Sequence, residues 1–127
     1  MALDLGLGGK IAIISGGSEG LGRAAAERLA REGAKVTICA RRKDVLEGGG
    51  DGIRKGTGGD LLAIPADATK AADIENVVRA TQGRWGGVDI LLNNAGTSAA
   101  AAFEKVEDDI WHEDFELKVM GAIRFCR

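Results

Sequence analysis

The sequence predicts an α/β fold in which a doubly wound parallel sheet lies between two layers of helices. Short apolar runs alternate along the chain with stretches in which apolar residues recur at helical spacing. Hydrophobic residues make up 45% and charged residues 28% of the 127 residues, which is typical of a folded domain. A glycine-dense corner, "SGGSEGLG" at residues 15–22, joins the first apolar run to the first helical stretch.

Four apolar runs predict strands that are buried on both faces, at residues 10–14, 35–40, 61–65 and 88–92. Right-handed connections between these strands give a parallel, doubly wound sheet, and the order 3-2-1-4, a common one for such sheets, is expected in it. The fourth run, "VDILL", would lie at an edge although it is apolar on both sides. Unpaired apolar edges recruit partners, so the chain is expected to be a fragment of a longer protein or to self-associate through residues 88–92 or 103–126.

Helical spacing predicts a helix after each of the first three strands. The first helix ends where Gly33 stands at a C-terminal cap position. Residues 41–60 contain seven glycines, which predicts a short or broken second helix. The third helix is expected within residues 67–83, with Gly83 as its stop. After the fourth strand, an apolar stripe predicts a long amphipathic helix with room for a shorter one before it: Phe103, Val106, Ile110, Phe115, Val119 and Ile123.

Composition excludes several classes of function. The net charge of −2 provides no broad basic field, so neither nucleic acid nor an anionic membrane is an expected partner. Cys39 and Cys126 are far apart and predict neither a disulfide framework nor a metal site. The first ten residues lack the basic start and apolar core of a signal peptide, and no run reaches the roughly 20 apolar residues that span a bilayer. These features predict one cytoplasmic domain over residues 1–127.

The glycine corner is a candidate binding site. A chain that turns sharply from a strand into a helix needs positive φ angles or missing Cβ atoms. The helix that begins there offers unpaired amides and a positive dipole end to a diphosphate group. The corner therefore predicts a dinucleotide cradle, although a purely structural turn explains the same letters. The candidate residues are Ser15, Gly16, Ser18, Glu19, Gly20, Leu21 and Gly22, with the motif glycines spaced G-x-x-x-G-x-G.

The end of the second strand bears on the choice of cofactor. Ala40 stands where an acid would bind the ribose 2′-hydroxyl of NAD(H), and Arg41 and Arg42 follow it. A guanidinium group can pair with a 2′-phosphate in a forked geometry, which favours NADP(H) over NAD(H). Solvated charges at the start of a helix are the alternative interpretation, and Glu19 at the same edge would repel a phosphate.

Together these motifs resemble the short-chain dehydrogenase/reductase family and its Rossmann-type fold. The resemblance is carried by the glycine motif, with Ser15 in place of the more usual Thr, by "ADAT" at residues 66–69, and by "VDILLNNAG" at residues 88–96. It implies that Asp67 contacts the adenine ring. It also implies a further set of cofactor-binding residues around the ring and the ribose: Ala68, Asn94, Ala95 and Gly96.

The resemblance implies hydride transfer between the nicotinamide cofactor and a small carbonyl or alcohol substrate, in a homo-oligomer to which the last helix contributes. Members of the family run to about 250 residues and carry a Ser and a Tyr-x-x-x-Lys beyond the point where this chain ends. Protonating the alkoxide requires a positioned acid, and this chain has no tyrosine. No catalytic residue is assigned, and the chain alone is expected to be inactive. Lys118 aligns with the family's active-site Asn, although a plain exposed lysine is the simpler explanation.

Two other functions remain open from the sequence. A non-catalytic dinucleotide-binding or regulatory module ending at Arg127 is supported by the missing tyrosine. An extended enzyme of the nucleotide-sugar type is disfavoured, because such enzymes carry a G-x-x-G-x-x-G corner. His112, the single histidine, is expected at the surface, and Cys39 is expected to behave as a small buried hydrophobe.

Overall fold

The computed structural model describes residues 3–96 and 101–127. In this part of the chain, four parallel strands form one sheet in the order β3-β2-β1-β4, so the predicted doubly wound topology is confirmed. The second and third strands have the predicted bounds, and the first is displaced by one residue. The strands are β1 (Ile11–Ser15), β2 (Lys35–Ala40), β3 (Leu61–Pro65) and β4 (Ile90–Leu92).

Helices follow each strand, as predicted. The long last helix is also confirmed, since one π-helical turn, Glu116–Met120, joins its two α-helical parts without a break. A short 3-10 turn, Phe103–Lys105, precedes it. Among the described residues, none of the helices combines the length and apolar character that crossing a bilayer requires. The helices are α1 (Gly20–Arg31), α2 (Lys43–Thr57), α3 (Ala71–Trp85), α4 (Asp108–Phe115) and α5 (Gly121–Cys126).

Two apolar cores lie on opposite faces of the sheet and make the fold three-layered. Ile14 and Ile38 point from the central strands towards α1 and α2, where Leu46 is fully buried. On the other face, Ile13 packs with Val77 of α3 and Phe125 of α5. Alternate residues of β1 therefore serve different cores, which explains why the whole strand is buried.

The prediction of a short or broken second helix was wrong, because α2 runs unbroken for 15 residues. Glycine lowers intrinsic helix stability, but here its small size permits close packing. A Cβ on Gly49 would lie 2.8 Å from the carbonyl oxygen of Ser18, and one on Gly50 would lie 3.3 Å from the Cβ of Ala63. Leu46 and Ile53 are fully buried beside these glycines. Tertiary packing therefore overrides the local preference.

Two element boundaries also differ from the prediction. Helix α3 passes through Gly83 and ends at Trp85, where Gly86 adopts a left-handed conformation and donates its amide to the carbonyl of Gln82. Strand pairing of β4 begins only at Ile90. Just before it, the Asp89 amide donates to the Ile11 carbonyl at 2.8 Å, and the Asp89 carboxylate accepts a hydrogen bond from the Ile11 amide at 2.9 Å, so backbone and side chain together close that end of the strand.

The apolar stripe of the last helix faces outwards. Phe115 is 53% exposed and Trp111 47% exposed, and Val119 and Ile123 are similarly accessible. The buried side of this helix is formed by Gly121 and Phe125 instead. Of the predicted stripe, Phe115, Val119 and Ile123 lie on this outward face, whereas Phe103 lies in the preceding 3-10 turn with its ring edge-on to Trp111. The outward face remains more than a third exposed along its length.

Candidate functional site: a cleft at the carboxyl edge of the sheet

The carboxyl ends of the strands open onto one cleft of about 830 Å³. Open α/β sheets place ligand sites at this edge, outside the ends of the parallel strands. The glycine corner after β1, the arginine pair after β2, the loop after β3 and the turn after β4 all contribute to its wall. The volume lies within the range of pockets that hold small molecules and cofactors.

The glycine corner has the geometry that its spacing predicts. Gly16 and Gly20 have φ angles of +70° and +58°, in the region that favours glycine. Gly22 is needed for a different reason, since a Cβ there would overlap the carbonyl oxygen of Gly16 and lie 2.5 Å from Nδ2 of Asn94. The chain can turn this closely from β1 into α1 only without side chains at these positions.

Ser15 and Asn94 tie the glycine corner to the turn after β4. The amides of Asn94 and Ala95 donate to the Ser15 hydroxyl oxygen at 3.1 and 3.0 Å. In the same direction, Nδ2 of Asn94 donates to the carbonyl oxygen of Gly16 at 3.1 Å. Because Ser15 is buried, these bonds hold two walls of the cleft in a fixed relation.

Helix α1 begins at the cleft with its first amides unpaired. The first turn of any α-helix lacks intrahelical acceptors for its N–H groups, and Glu19, at the cap position, makes no side-chain capping hydrogen bond. Glu19 and Leu21 both line the cleft. Unpaired donors together with the positive end of the helix dipole suit an anionic ligand at this point. The residues present therefore fit a diphosphate group.

Arg41 and Arg42 line the cleft directly after β2. The last residue of that strand is Ala40, so no acid stands at this position. Nη2 of Arg42 lies 2.8 Å from Oε1 of Glu19, so an ion pair spans the mouth of the cleft. The predicted repulsive carboxylate is thus present, but it is bound to one of the two arginines.

Asp67 is held by its own loop. Its Oδ1 accepts hydrogen bonds from the amide and the hydroxyl of Thr69, at 2.9 and 2.7 Å. Partial burial opposes ionisation, but these two bonds and the positive charges of Arg41 and Lys70 outweigh it and lower the pKa of Asp67. Asp67 is therefore an ionised group that shapes the loop after β3.

The remaining wall is apolar. Ala66 and Ala68 line it from the loop after β3, and Leu117 reaches it from the π-helical turn. Cys39 also lies there, where burial raises the pKa of its thiol to about 12 despite a backbone hydrogen bond that opposes the rise. This thiol is therefore protonated near neutral pH and fits the expectation of a buried hydrophobe. Small side chains leave room for a flat ring against this wall.

Lys118 lies next to the cleft rather than in its wall. Its Nζ lies 3.0 Å from Oδ2 of Asp114 on the preceding turn, and its Cε passes 3.5 Å from the position that a Cβ on Gly96 would occupy. The lysine is thus ion-paired and half exposed. His112 is exposed on the outer side of α4, as expected.

The structure brings most of the predicted site residues to one place. Gly20, Gly22 and Asp67 are adjacent in sequence to lining residues, and the others line the cleft themselves. Sequence reasoning missed Ala66 and Leu117, since neither carries a polar group, although Ala66 begins the "ADAT" motif. The predicted residues that line the cleft are Ser15, Gly16, Ser18, Glu19, Leu21, Arg41, Arg42, Ala68, Asn94, Ala95 and Gly96.

A doubly wound sheet with a glycine corner and a cleft at its carboxyl edge defines the class of Rossmann-type α/β proteins. The family model described as short chain dehydrogenase matches residues 10–127. The chain belongs to this family.

Curated relatives are longer oxidoreductases. A 2,5-dichloro-2,5-cyclohexadiene-1,4-diol dehydrogenase of Sphingobium indicum is 40% identical over 107 residues, which cover 84% of this chain and 42% of the relative. An uncharacterized oxidoreductase of Mycobacterium tuberculosis is 37% identical over 120 residues, covering 91% of this chain and 35% of the relative. The chain thus spans less than half the length of these relatives.

Solved structures show the same relation. L-sorbose reductase from Gluconobacter frateurii, complexed with NADPH and L-sorbose, is 36% identical with a TM-score of 0.93. The match covers 98% of this chain and 48% of that one. An actinorhodin polyketide ketoreductase variant with NADPH is 30% identical with a TM-score of 0.88, covering 93% of this chain and 45% of that one.

Proposed function

We propose that this chain is the cofactor-binding half of an NAD(P)(H)-dependent short-chain oxidoreductase and that it prefers NADP(H). The observation that carries the proposal is the convergence of the glycine corner, the unpaired first turn of α1 and the arginine pair on one cleft. Similarity to two structures described with NADPH supports it. A non-catalytic module is not favoured, because the curated relatives are named as oxidoreductases.

In this proposal, each wall of the cleft has one task. The first-turn amides of α1 bind the diphosphate. The apolar wall with Ala66 and Ala68 accepts the adenine ring, with Asp67 at its edge. Asn94, Ala95 and Gly96 lie beside the ribose, and Arg41 binds the 2′-phosphate. The bound nicotinamide supplies or accepts the hydride, which is chemistry that no side chain can perform.

The cofactor preference is tested by titration with NADPH and NADH, followed by the fluorescence of the reduced coenzyme. Arg41→Ala should weaken NADPH binding by about ten- to a hundredfold, the effect of losing a charge-assisted hydrogen bond. NADH binding should change far less. Arg28→Ala is a matched control, because Arg28 is an exposed arginine of α1 that pairs with Glu32. Equal loss of both coenzymes in Arg41→Ala would contradict the preference.

Carbonyl reduction requires an acid that protonates the alkoxide as the hydride arrives. Within this chain the only group at a family active-site position is Lys118, which is already bound to Asp114. The proposal therefore places the proton donor outside the 127 residues. A reading frame that continues into a Tyr-x-x-x-Lys segment would support this division. Carbonyl-dependent NADPH oxidation by the 127-residue chain alone would contradict it.

Self-association is a further part of the proposal. The side chains of Trp111, Phe115, Val119 and Ile123 form an outer stripe along the last helix, and all four are more than a third exposed. Among the described residues, strand β4 is an edge of the sheet, and Leu92 at its end is exposed. Exposed apolar faces and strand edges of this kind are typical of interfaces. A second copy of the chain, packed through the outer stripe, would cover it.

Sedimentation velocity over a range of concentrations tests this association. Phe115→Gln should shift the protein towards monomer, whereas Leu5→Gln, which changes a similarly exposed leucine that is not part of the stripe, should not. A monodisperse monomer at high concentration would contradict the proposed association.

The proposed compartment is the cytoplasm. Cys39 and Cys126 are both free thiols in the structure, and reducing compartments keep thiols in this state. Fractionation of cells that express the tagged protein tests this assignment, and recovery from an exported fraction would contradict it.

A further inference from the structure

The two guanidinium groups at the mouth of the cleft differ in what they contact. Nη2 of Arg42 lies 2.8 Å from Oε1 of Glu19, with the two side chains 70% and 64% exposed. Arg41 forms no ion pair with a carboxylate of the described residues, although its charge acts on Asp67. One arginine therefore has a resident partner, and the other is available to a ligand.

The ion pair connects two helix starts. Glu19 immediately precedes α1 and Arg42 immediately precedes α2, and neither side chain caps its own helix. The pair thus joins the chain after β1 to the chain after β2, across the rim that leads to the 2′ position of a bound ribose in the proposed orientation. A phosphate placed at this rim would meet Arg41 directly and Arg42 only in place of Glu19.

We propose that Glu19 is a specificity-determining residue that competes with the 2′-phosphate of NADP(H) for Arg42. This inference rests on the proposed function, since it requires the coenzyme to lie in this cleft. Arg41 recognises the phosphate from the outset. Arg42 joins it only when the contact with Glu19 opens, so Glu19 restrains the preference for NADP(H) without abolishing it.

The relative strength of the two contacts allows this competition. An ion pair between exposed side chains changes an equilibrium by about fivefold or less. A phosphate carries close to two negative charges at neutral pH and offers three strong acceptor oxygens, so it can displace a single carboxylate from a guanidinium group. The displaced carboxylate remains nearby and repels the phosphate. NADH lacks the 2′-phosphate and leaves the pair intact.

Isothermal titration of the protein with NADPH and NADH tests the inference in four variants. Glu19→Gln removes the charge with little change in shape, and Arg42→Ala removes the contested arginine. The double variant Glu19→Gln/Arg42→Ala tests whether the two effects are coupled. Glu47→Gln is the matched control, because Glu47 is an exposed carboxylate paired with Lys43 on α2, outside the cleft.

Glu19→Gln should tighten NADPH binding by about three- to tenfold, as expected for losing a weak ion pair and a nearby repulsion. NADH binding should change by less than about twofold, and Glu47→Gln should change neither. In the Arg42→Ala background, the gain from Glu19→Gln should be smaller, because no contested arginine is released and only the repulsion is relieved. Circular dichroism spectra identical to that of the parent protein establish that each variant is folded.

Three outcomes would overturn the inference. An unchanged NADPH-to-NADH ratio in Glu19→Gln, with both coenzymes still bound, would refute it while leaving the proposed function intact. An equal gain in the Arg42→Ala background would show simple repulsion rather than competition. Failure of the parent protein to bind either coenzyme would refute the proposed function and this inference with it.

Discussion

The two parts of the chain bury their apolar side chains to very different degrees. From β1 to β3, the sheet is covered by α1 and α2, and Ile14, Ile38 and Leu46 are fully buried. From β4 onwards, Leu92 is 37% exposed and the outer stripe of the last helix faces solvent. The first region is a closed core, whereas the second has one packed side and one open side.

This difference separates the region whose apolar surface the chain covers itself from the region whose apolar surface it leaves exposed. The cleft is built on the closed region, because the glycine corner, the arginine pair and the loop after β3 all follow its strands. The turn after β4 joins the cleft through the hydrogen bonds between Ser15 and Asn94. We therefore expect cofactor binding to depend on the closed region and assembly on the open one.

The largest contrast is expected in thiol reactivity. Burial raises the pKa of Cys39 to about 12, whereas Cys126 is exposed in the open region. Only the thiolate reacts, so Cys126 should be labelled by a disulfide reagent more than about a thousandfold faster at neutral pH. Cys126→Ser should leave the native protein unreactive until it is unfolded. Rapid labelling of that variant would show that the first region opens readily.

Two substitutions that shorten an apolar side chain test how tightly the closed core is packed, through the free energy of unfolding. Ile38→Ala removes a fully buried side chain of β2 and should lower the free energy of unfolding by about 2–5 kcal/mol. Leu92→Ala, at the open edge, should cost clearly less, since part of that side chain is already in water. Urea denaturation measures both. Similar losses would mean that β4 is as well packed as β2.

Two glycine substitutions of opposite sign distinguish the cleft from the helix surface. Gly22→Ala would place a Cβ 2.5 Å from Nδ2 of Asn94 and should destabilise the fold by about 1–3 kcal/mol, with loss of coenzyme binding. Gly48→Ala, in α2 with open space around it, should stabilise by up to about 1 kcal/mol. Thermal unfolding and NADPH titration provide the readouts. A stable Gly22→Ala variant that still binds would contradict the close turn.

A buried hydroxyl pair connects β2 to α3. The Thr81 hydroxyl donates to the Val77 carbonyl at 2.8 Å, which leaves the Thr37 hydroxyl to donate to Thr81 at 2.8 Å. Thr81→Val should cost about 1–3 kcal/mol because it strands the Thr37 donor. The double variant Thr37→Val/Thr81→Val should recover part of this loss. Denaturant unfolding of the cycle checks the coupling, and strict additivity would argue against a shared bond.

The smallest effect concerns pH. Partial burial of Asp67 raises its pKa, but the hydrogen bonds from Thr69 outweigh burial and lower the pKa in the folded protein. The resulting stabilisation is present above the unfolded pKa of about 4 and is lost as the pH falls through the lower folded value. Asp67→Asn should therefore show a shallower acid-side loss of stability than the parent protein. Identical pH profiles would mean that the bonds to Thr69 are absent in solution.

The sequence alone predicted the features that depend on local pattern. Alternating apolar runs and helical spacing predicted the parallel sheet and the helices between its strands, and the spacing of Gly16, Gly20 and Gly22 predicted a tight turn from strand to helix. These signals are reliable because each arises from residues that are close in the chain. The buried state of Cys39 was predicted for the same reason, since it lies within an apolar run.

Features that depend on distant contacts were not predictable. The unbroken α2 results from Gly49 and Gly50 packing against Ser18 and β3, which lie far away in the sequence. The pair of Glu19 with Arg42 joins residues whose separation along the chain carries no signal. Leu117 reaches the cleft only because a π-helical turn places it there. In each case, contacts between residues that are distant in the chain determine the structure, and local sequence preferences do not.

The central expectation is that the first-turn amides of α1 bind a diphosphate group. NMR of the protein labelled with ¹⁵N tests this most directly. Addition of NADPH should produce the largest amide shift changes at Gly20 and Leu21, with smaller changes at Arg41 and Asn94. Shift changes confined to residues of α3 and α5 that line a second cavity, such as Glu75, Val78 and Arg124, with Gly20 and Leu21 unaffected, would contradict the proposed site.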